Sequence, residues 1–243
     1  MEIGAVSHIG LIREVNEDAY FISDDGLNLF IVADGMGGHK AGEVASNIAI
    51  ESVKNFVKNH IQHCSNGDEA MICKMIREAV LEANRNIYEK ALAEENYQGM
   101  GTTLTMALIL SKLFIGHIGD SRAYLLRNNE ILQITQDHSL VGELLRKGSI
   151  TEKEAKIHPQ RNIITRALGT EENILIDLYT MDLEKGDIVV LCSDGLSNLV
   201  DHSEIQECLR NCGSMQLGCE HLVTLANERG GYDNITMIAI KND

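Results

Sequence analysis

Short apolar runs alternate with turn residues at the start of the chain. Ile3 to His8, Ala19 to Ser23 and Asn28 to Ala33 read as strands, with Asp24-Asp25-Gly26 as a hairpin signal between the last two. The period then changes. From Ala41 to about Asn59, the residues Val44, Ala45, Ile48, Val53, Phe56 and Val57 recur at helical spacing. From Glu69 to Glu94 a fuller stripe follows, through Met71, Ile72, Met75, Ile76, Ala79, Val80, Ala83, Ile87 and Ala91. Two long helices are predicted, each with one face free to pack on a sheet.

Strand-like runs return at Thr102 to Leu110, Leu113 to Ile118, Ala123 to Leu126 and Ile131 to Ile134, and read as consecutive antiparallel strands. Between Asp137 and Arg166 the pattern weakens into short helical pieces, Leu140 to Lys147 and Thr151 to Ile157. Thr151 and Glu154 form a capping box for the second, and Pro159 helps to end it. The 137–166 stretch is predicted to be a surface flap. A further strand pair, Leu175 to Thr180 and Asp187 to Cys192, is joined through Glu184-Lys185-Gly186; helices near Ser203 to Arg210 and Met215 to Glu228 and a last strand, Ile235 to Ile240, complete the chain. This order suggests an α+β fold with helices segregated from antiparallel sheets. No linker-like stretch or internal repeat divides it, so residues 1–243 are expected to form one domain.

Composition narrows the function classes. The chain has 243 residues, of which 44% are hydrophobic, and no apolar run approaches the roughly 18 residues needed to span a bilayer. The N-terminus lacks the basic leader and apolar core of a secretory signal, which makes a cytoplasmic location the expectation. Lys and Arg total 21 against 36 Asp and Glu, a net charge of -15 that opposes binding to nucleic acid. Six cysteines are present, and in a reducing compartment they are expected to be free thiols. Cys208, Cys212, Cys219 and His221 lack the paired spacing of a zinc site. Cys64 is followed by Ser65-Asn66-Gly67-Asp68, without the arginine-bearing loop that a cysteine nucleophile for phosphoryl chemistry wants.

Four aspartates carry the candidate chemistry. Asp34, Asp120 and Asp194 follow apolar runs and Asp233 precedes one, so antiparallel neighbours could gather them at one sheet edge. Glycine follows Asp34 and Asp194 directly, which removes bulk where Gly35 could offer its carbonyl to an ion. Two unpaired carboxylates about 4 Å apart repel by roughly 4 kcal/mol at an effective dielectric near 20. Such a cluster needs protons, basic partners or divalent ions, and oxygen-only ligands favour Mg²⁺ or Mn²⁺ over zinc. Two such ions roughly 3.5 to 4 Å apart can hold and activate a water for in-line attack at phosphorus. Arg13, close before Asn16-Glu17-Asp18, could fork onto a phosphate.

Taken in order, these motifs resemble the metal-dependent serine/threonine protein phosphatases of the PPM or PP2C class, in particular their short bacterial members. The matching stretches are Arg13 with Asn16-Glu17-Asp18, Val32 through His39, Gly101-Thr102-Thr103, Gly119-Asp120-Ser121-Arg122, Asp137-His138-Ser139, Arg161-Asn162 to Leu168-Gly169, Ser193-Asp194-Gly195 and Asp233-Asn234. The resemblance implies a β-sandwich of two antiparallel sheets flanked by helices, with two core Mn²⁺ or Mg²⁺ ions at one end. It implies that Asp34 bridges both ions, Gly35 offers its carbonyl to one, Asp194 and Asp233 complete the other, and Asp18 supports that shell. Asp120, with Asp194, would hold a third, weaker ion, and Arg13 would bind substrate phosphate.

Some relatives carry histidine directly after the first Asp-Gly, as a proposed general acid; here Met36 stands there and cannot donate a proton. His39 is the candidate acid or substrate-positioning residue, with a purely structural turn histidine as the alternative. The expected partners are proteins phosphorylated on Ser or Thr, including a cognate serine/threonine kinase whose action the enzyme opposes, and a monomer is expected. A catalytically silent docking module would have lost metal ligands, and every expected aspartate is present.

Overall fold

In the computed structural model, residues 1–24, 26–37, 41–64 and 68–243 are described. In chain order the strands are β1 (Glu2–His8), β2 (Asp18–Ile22), β3 (Leu29–Met36), β4 (Gly101–Thr102), β5 (Leu104–Ile109), β6 (Leu113–Ile118), β7 (Arg122–Arg127), β8 (Glu130–Gln133), β9 (Asp177–Met181), β10 (Ile188–Cys192) and β11 (Ile235–Lys241). The helices are α1 (Ala41–His60), α2 (Glu69–Ala93), α3 (Leu140–Arg146), α4 (Glu152–Ile157), α5 (Asp194–Ser197), α6 (His202–Asn211) and α7 (Met215–Glu228). One sheet runs β1-β11-β10-β7-β8 and the other β2-β3-β5-β6-β9, with β4 added on β3. Every strand pairing in both is antiparallel.

The sheets pack face to face through Phe30, Val32, Ile115, Leu125, Val189, Leu191 and Ile238. The outer face of one carries α1 and α2, whose predicted stripes bury Val53, Ile72, Ile76 and Ile87 against Ile31, Leu104 and Met106. The outer face of the other is covered by α6 and α7 through Leu209, Leu222 and Val223. The expected sandwich flanked by helices is the fold observed. Among the described residues no helix is long and apolar enough to cross a membrane.

Two expected strand pairings are corrected. β6 and β7 follow one another in sequence but lie in different sheets, and so do β9 and β10. The first crossing turns at Gly119, whose φ of +111° favours glycine and whose Cβ would press to 2.5 Å from the Thr103 side chain. The second turns at Gly186, with φ of +85°. The apolar run from Thr102 to Leu110 is also interrupted. Thr103 separates β4 from β5 because its N–H donates to the carbonyl of Asp34 at 2.9 Å and its Oγ1 accepts the Asp34 N–H at 3.0 Å. The segment 137–166 contains α3 and α4, and the Thr151–Glu154 capping box forms as expected.

Candidate metal centre

The β2–β3 register sets Asp18 opposite Asp34. Directly opposed residues have Cβ atoms about 4.5 to 5.5 Å apart, and like charges there destabilise the pair. Asp34 lies within β3 and not beyond its end, because pairing of Gly35 and Met36 with β4 prolongs the strand. Its backbone is held on three sides: besides the two Thr103 bonds, Thr102 Oγ1 donates to its carbonyl at 2.9 Å. Asp18 is buried, and Ser193 Oγ donates to its Oδ2 at 2.8 Å, while Oδ1 has no partner.

The other carboxylates arrive from the second sheet. Asp194 opens α5 just after β10, and its Oδ2 accepts from the Asn198 amide at 3.0 Å. Asp233 stands just ahead of β11, which pairs with β10, and its Oδ2 accepts from Arg13 Nη2 at 2.8 Å. Asn234 ties the loops together, its Oδ1 accepting the Glu17 N–H and its Nδ2 donating to the carbonyls of Ile9 and Val15. The carboxylates therefore gather where the ends of two sheets meet, a correction to the single sheet edge expected from the runs. The glycines beside them answer a steric demand. A Cβ on Gly35 would lie 2.2 Å from the Gly42 carbonyl oxygen in α1, and one on Gly195 would lie 2.0 Å from that of Asn234.

The cluster is electrostatically strained. Burial, reinforced by Asp18, Asp194, Asp120 and Asp233, pushes the Asp34 carboxyl well above the ordinary range. Burial, then the nearby Asp194 and Asp233, raise Asp18 to about 7 against the hydrogen bonds it accepts. Burial and the charge of Asp233 raise Asp194 to about 6. Asp120, 7% exposed, is raised well above its usual value by burial and by Asp194 and Asp137, and its Oδ1 also lacks a partner. Arg122 opposes the rise at Asp120 and Asp194, but its guanidinium is forked onto Asp137, with Nε at 3.0 Å from Oδ1 and Nη2 at 2.7 Å from Oδ2.

Buried acids that raise one another's pKa and leave oxygen atoms unpartnered fit a bound cation. Among the described residues no three His, Cys, Asp or Glu side chains converge as a complete ligand set for one ion. Mg²⁺ in particular keeps much of its water and takes one or two carboxylates, so pairs of aspartates with a backbone carbonyl are adequate protein donors.

The comparisons with known proteins decide the family. Residues 10–230 match the model of protein phosphatase 2C. The chain belongs to the protein phosphatase 2C family. It is similar to the serine/threonine phosphatase stp of Listeria monocytogenes, 40% identical over 237 residues that cover 96% of this chain and 93% of that protein. It is 39% identical to the protein phosphatase PhpP of Streptococcus pneumoniae, covering 99% and 97% of the two chains. The Mycobacterium tuberculosis serine/threonine phosphatase PstP/Ppp superposes with a TM-score of 0.89 at 37% identity, covering 99% and 98%. The catalytic domain of PstP solved in complex with two manganese ions superposes with a TM-score of 0.86 at 37% identity, again covering 99% and 98%.

In this family member the aspartates singled out from sequence come together, and Arg13 joins them through Asp233. His39 lies outside the described residues. Met36 is half-buried, with its Cε 2.8 Å from where a Gly101 Cβ would be. Several supporting residues carried no assigned task in the sequence. Glu17 accepts the Gly42 N–H on its side chain, and its carbonyl accepts the Gly35 N–H and the Ser46 hydroxyl, which fastens α1 to the site. Ser193, Thr103 and Asn234 were visible only as neighbours of the motif aspartates.

Proposed function

We propose that this metal-dependent serine/threonine phosphatase uses residues 1–243 as one catalytic domain, with Asp34, Gly35, Asp194 and Asp233 holding two core ions. Asp18 supports them from beside Asp34. Such ions, when bound, supply Lewis-acid stabilisation and an activated water for attack at phosphorus. The chain's own residues do the rest. Arg13 is half-exposed and fixed by its bond to Asp233, with donors left over for two phosphate oxygens of a phosphoserine or phosphothreonine. Burial of Asp18 keeps water from screening the charge it directs at the centre. The observation that carries this reading is the group of mutually raised, partly unpartnered carboxylates at the meeting of the sheets.

Asp120, whose Oδ1 is unpartnered and whose pKa responds to Asp194, is assigned with Asp194 to a third and weaker ion. His39 is the candidate proton donor or positioning residue for the leaving oxygen. The 137–166 segment serves as the flap: the N–H of Leu140 donates to Ile163 and that of Thr165 to His138, so its two ends are pinned together beside Asp120. The physiological role is a monomeric cytoplasmic enzyme that opposes a serine/threonine kinase. Purified protein is expected to hydrolyse a phosphothreonine peptide with Mn²⁺ present and to stop when the metal is chelated. Turnover that persists without metal would overturn the assignment.

A further inference from the structure

Beside the Arg13–Asp233 pair lies an apolar surface with no part in the chemistry above. Leu11, Ile12 and Tyr232 are 62%, 65% and 64% exposed, and they are near or immediate chain neighbours of Arg13 and Asp233. Two of them lie against the Gly230-Gly231 turn. The Leu11 N–H donates to the Gly231 carbonyl at 2.8 Å, and its Cγ lies 2.9 Å from where a Gly231 Cβ would be. The Tyr232 ring folds back over Gly230, where a Cβ would meet it at 2.4 Å.

From Leu11 the surface opens into a cavity of about 390 Å³ between β1 and α7. Val6, Leu11 and Val223 give it apolar walls, and Glu220 and Glu228 add carboxylates. Among the described residues neither carboxylate has a cationic partner; the Glu220 carboxylate accepts from the neutral Gln216 amide at 2.9 Å. Apolar walls with unpaired carboxylates suit a side chain with a methylene stem and a cationic head. The net charge of -15 also draws cationic segments toward the enzyme.

We propose that this cavity seats a lysine or arginine of the phosphoprotein substrate about three residues from the phosphorylated Ser or Thr, with Leu11, Ile12 and Tyr232 bearing the segment between. The inference rests on Arg13 holding the phosphate. Leu11 and Arg13 are two residues apart, at most about 7 Å between Cα atoms, and the Arg13 side chain extends the span to about 10 Å. An extended substrate advances about 3.3 Å per residue, which sets the offset. Exposed ion pairs of 0.2 to 1 kcal/mol correspond to a preference of up to about fivefold for each carboxylate.

The test compares phosphothreonine peptides bearing a single Lys, Ala or Glu at each offset from one to five on either side, with para-nitrophenyl phosphate as a substrate that has no flanking residues. Wild type is expected to favour Lys at one offset near three by about fivefold in kcat/KM, and to lose most of that preference in high salt. In the double variant E220Q/E228Q the preference is expected to vanish while hydrolysis of para-nitrophenyl phosphate continues. Equal rates for Lys and Glu peptides at every offset, or an unchanged Lys preference in the double variant, would overturn the cavity assignment. Failure of wild type on every peptide and on para-nitrophenyl phosphate with Mn²⁺ present would instead bring down the reaction assignment on which it rests.

Discussion

Strand β10 has an aspartate at each end, and the two meet burial in opposite ways. Asp187, at the start and 3% exposed, is forked by Arg127, with Nη2 at 2.6 Å from Oδ2, and accepts the Glu184 N–H at 2.7 Å. Burial raises its pKa, but the Arg127 hydrogen bonds and the Glu184 N–H outweigh that and leave it below the ordinary range. Asp194, roughly 24 Å away along the strand, has one neutral partner and the company of other acids, and is raised to about 6. One strand thus carries an acid neutralised by the protein and an acid that awaits neutralisation from outside. The end left without an arginine fork is where we place the metal centre.

The largest expected effect comes from removing the unanswered acid. Asp194→Ala should lower Mn²⁺-dependent turnover by at least about a thousandfold, several kcal/mol of transition-state stabilisation. Circular dichroism should show the fold intact, because repulsion is relieved as a ligand is lost. The same substitution at the other end should do the reverse. Asp187→Ala removes the fork from Arg127, whose guanidinium keeps Glu184 and the Asp182 carbonyl, and should cost about 2 kcal/mol by chemical denaturation. Activity per folded molecule should survive it.

The fold class and the aspartates of the site were legible in the sequence, the Asp187–Arg127 pair was not, and the missing parts have physical causes. β6 and α7 match their predicted runs, and the Asp-Gly turns marked Asp34 and Asp194. Sheet membership was not legible. β5, β6 and β11 are buried along both faces, so their apolar runs carry no alternation to say which layer each face meets. Gly119-Asp120-Ser121 has the composition of a hairpin turn yet carries the chain from one sheet to the other, because a glycine turn constrains the local backbone and not the partner strand. At the site, the motif aspartates stood out, while the Arg122–Asp137 fork and the Asn234 ties join residues far apart in sequence that only the assembled fold brings together.

A pH series sharpens the comparison at intermediate scale. An acid with a higher pKa folded than unfolded holds its proton more tightly in the fold. Its stabilisation is present below the unfolded value of about 4 and lost as pH rises through the folded value. With Asp18 at about 7 and Asp194 at about 6, chelator-treated protein should melt at a lower temperature at about pH 8 than at about pH 5. Saturating Mn²⁺ should flatten that fall. Asp187, whose pKa is lowered, contributes in the opposite sense: its stabilisation is present above about pH 4 and lost on further acidification.

The smallest expected effects distinguish the glycines at the two ends of β10. Gly186 has φ of +85° with open space around it, so Gly186→Ala should cost about 1 kcal/mol of stability and leave turnover alone. Gly195→Ala places a Cβ 2.0 Å from the Asn234 carbonyl oxygen and must displace the loop bearing Asp233, so turnover should fall even where the melting temperature barely moves.

Titration calorimetry of Mn²⁺ into chelator-treated wild type and Asp194→Ala, at one pH near neutrality, tests the role of the carboxylate cluster most directly. Wild type should take up at least two ions, and the variant should lose one or more of them while remaining folded. Absence of Mn²⁺ binding to the wild type, or the same stoichiometry and affinity in both proteins, would contradict the metal centre.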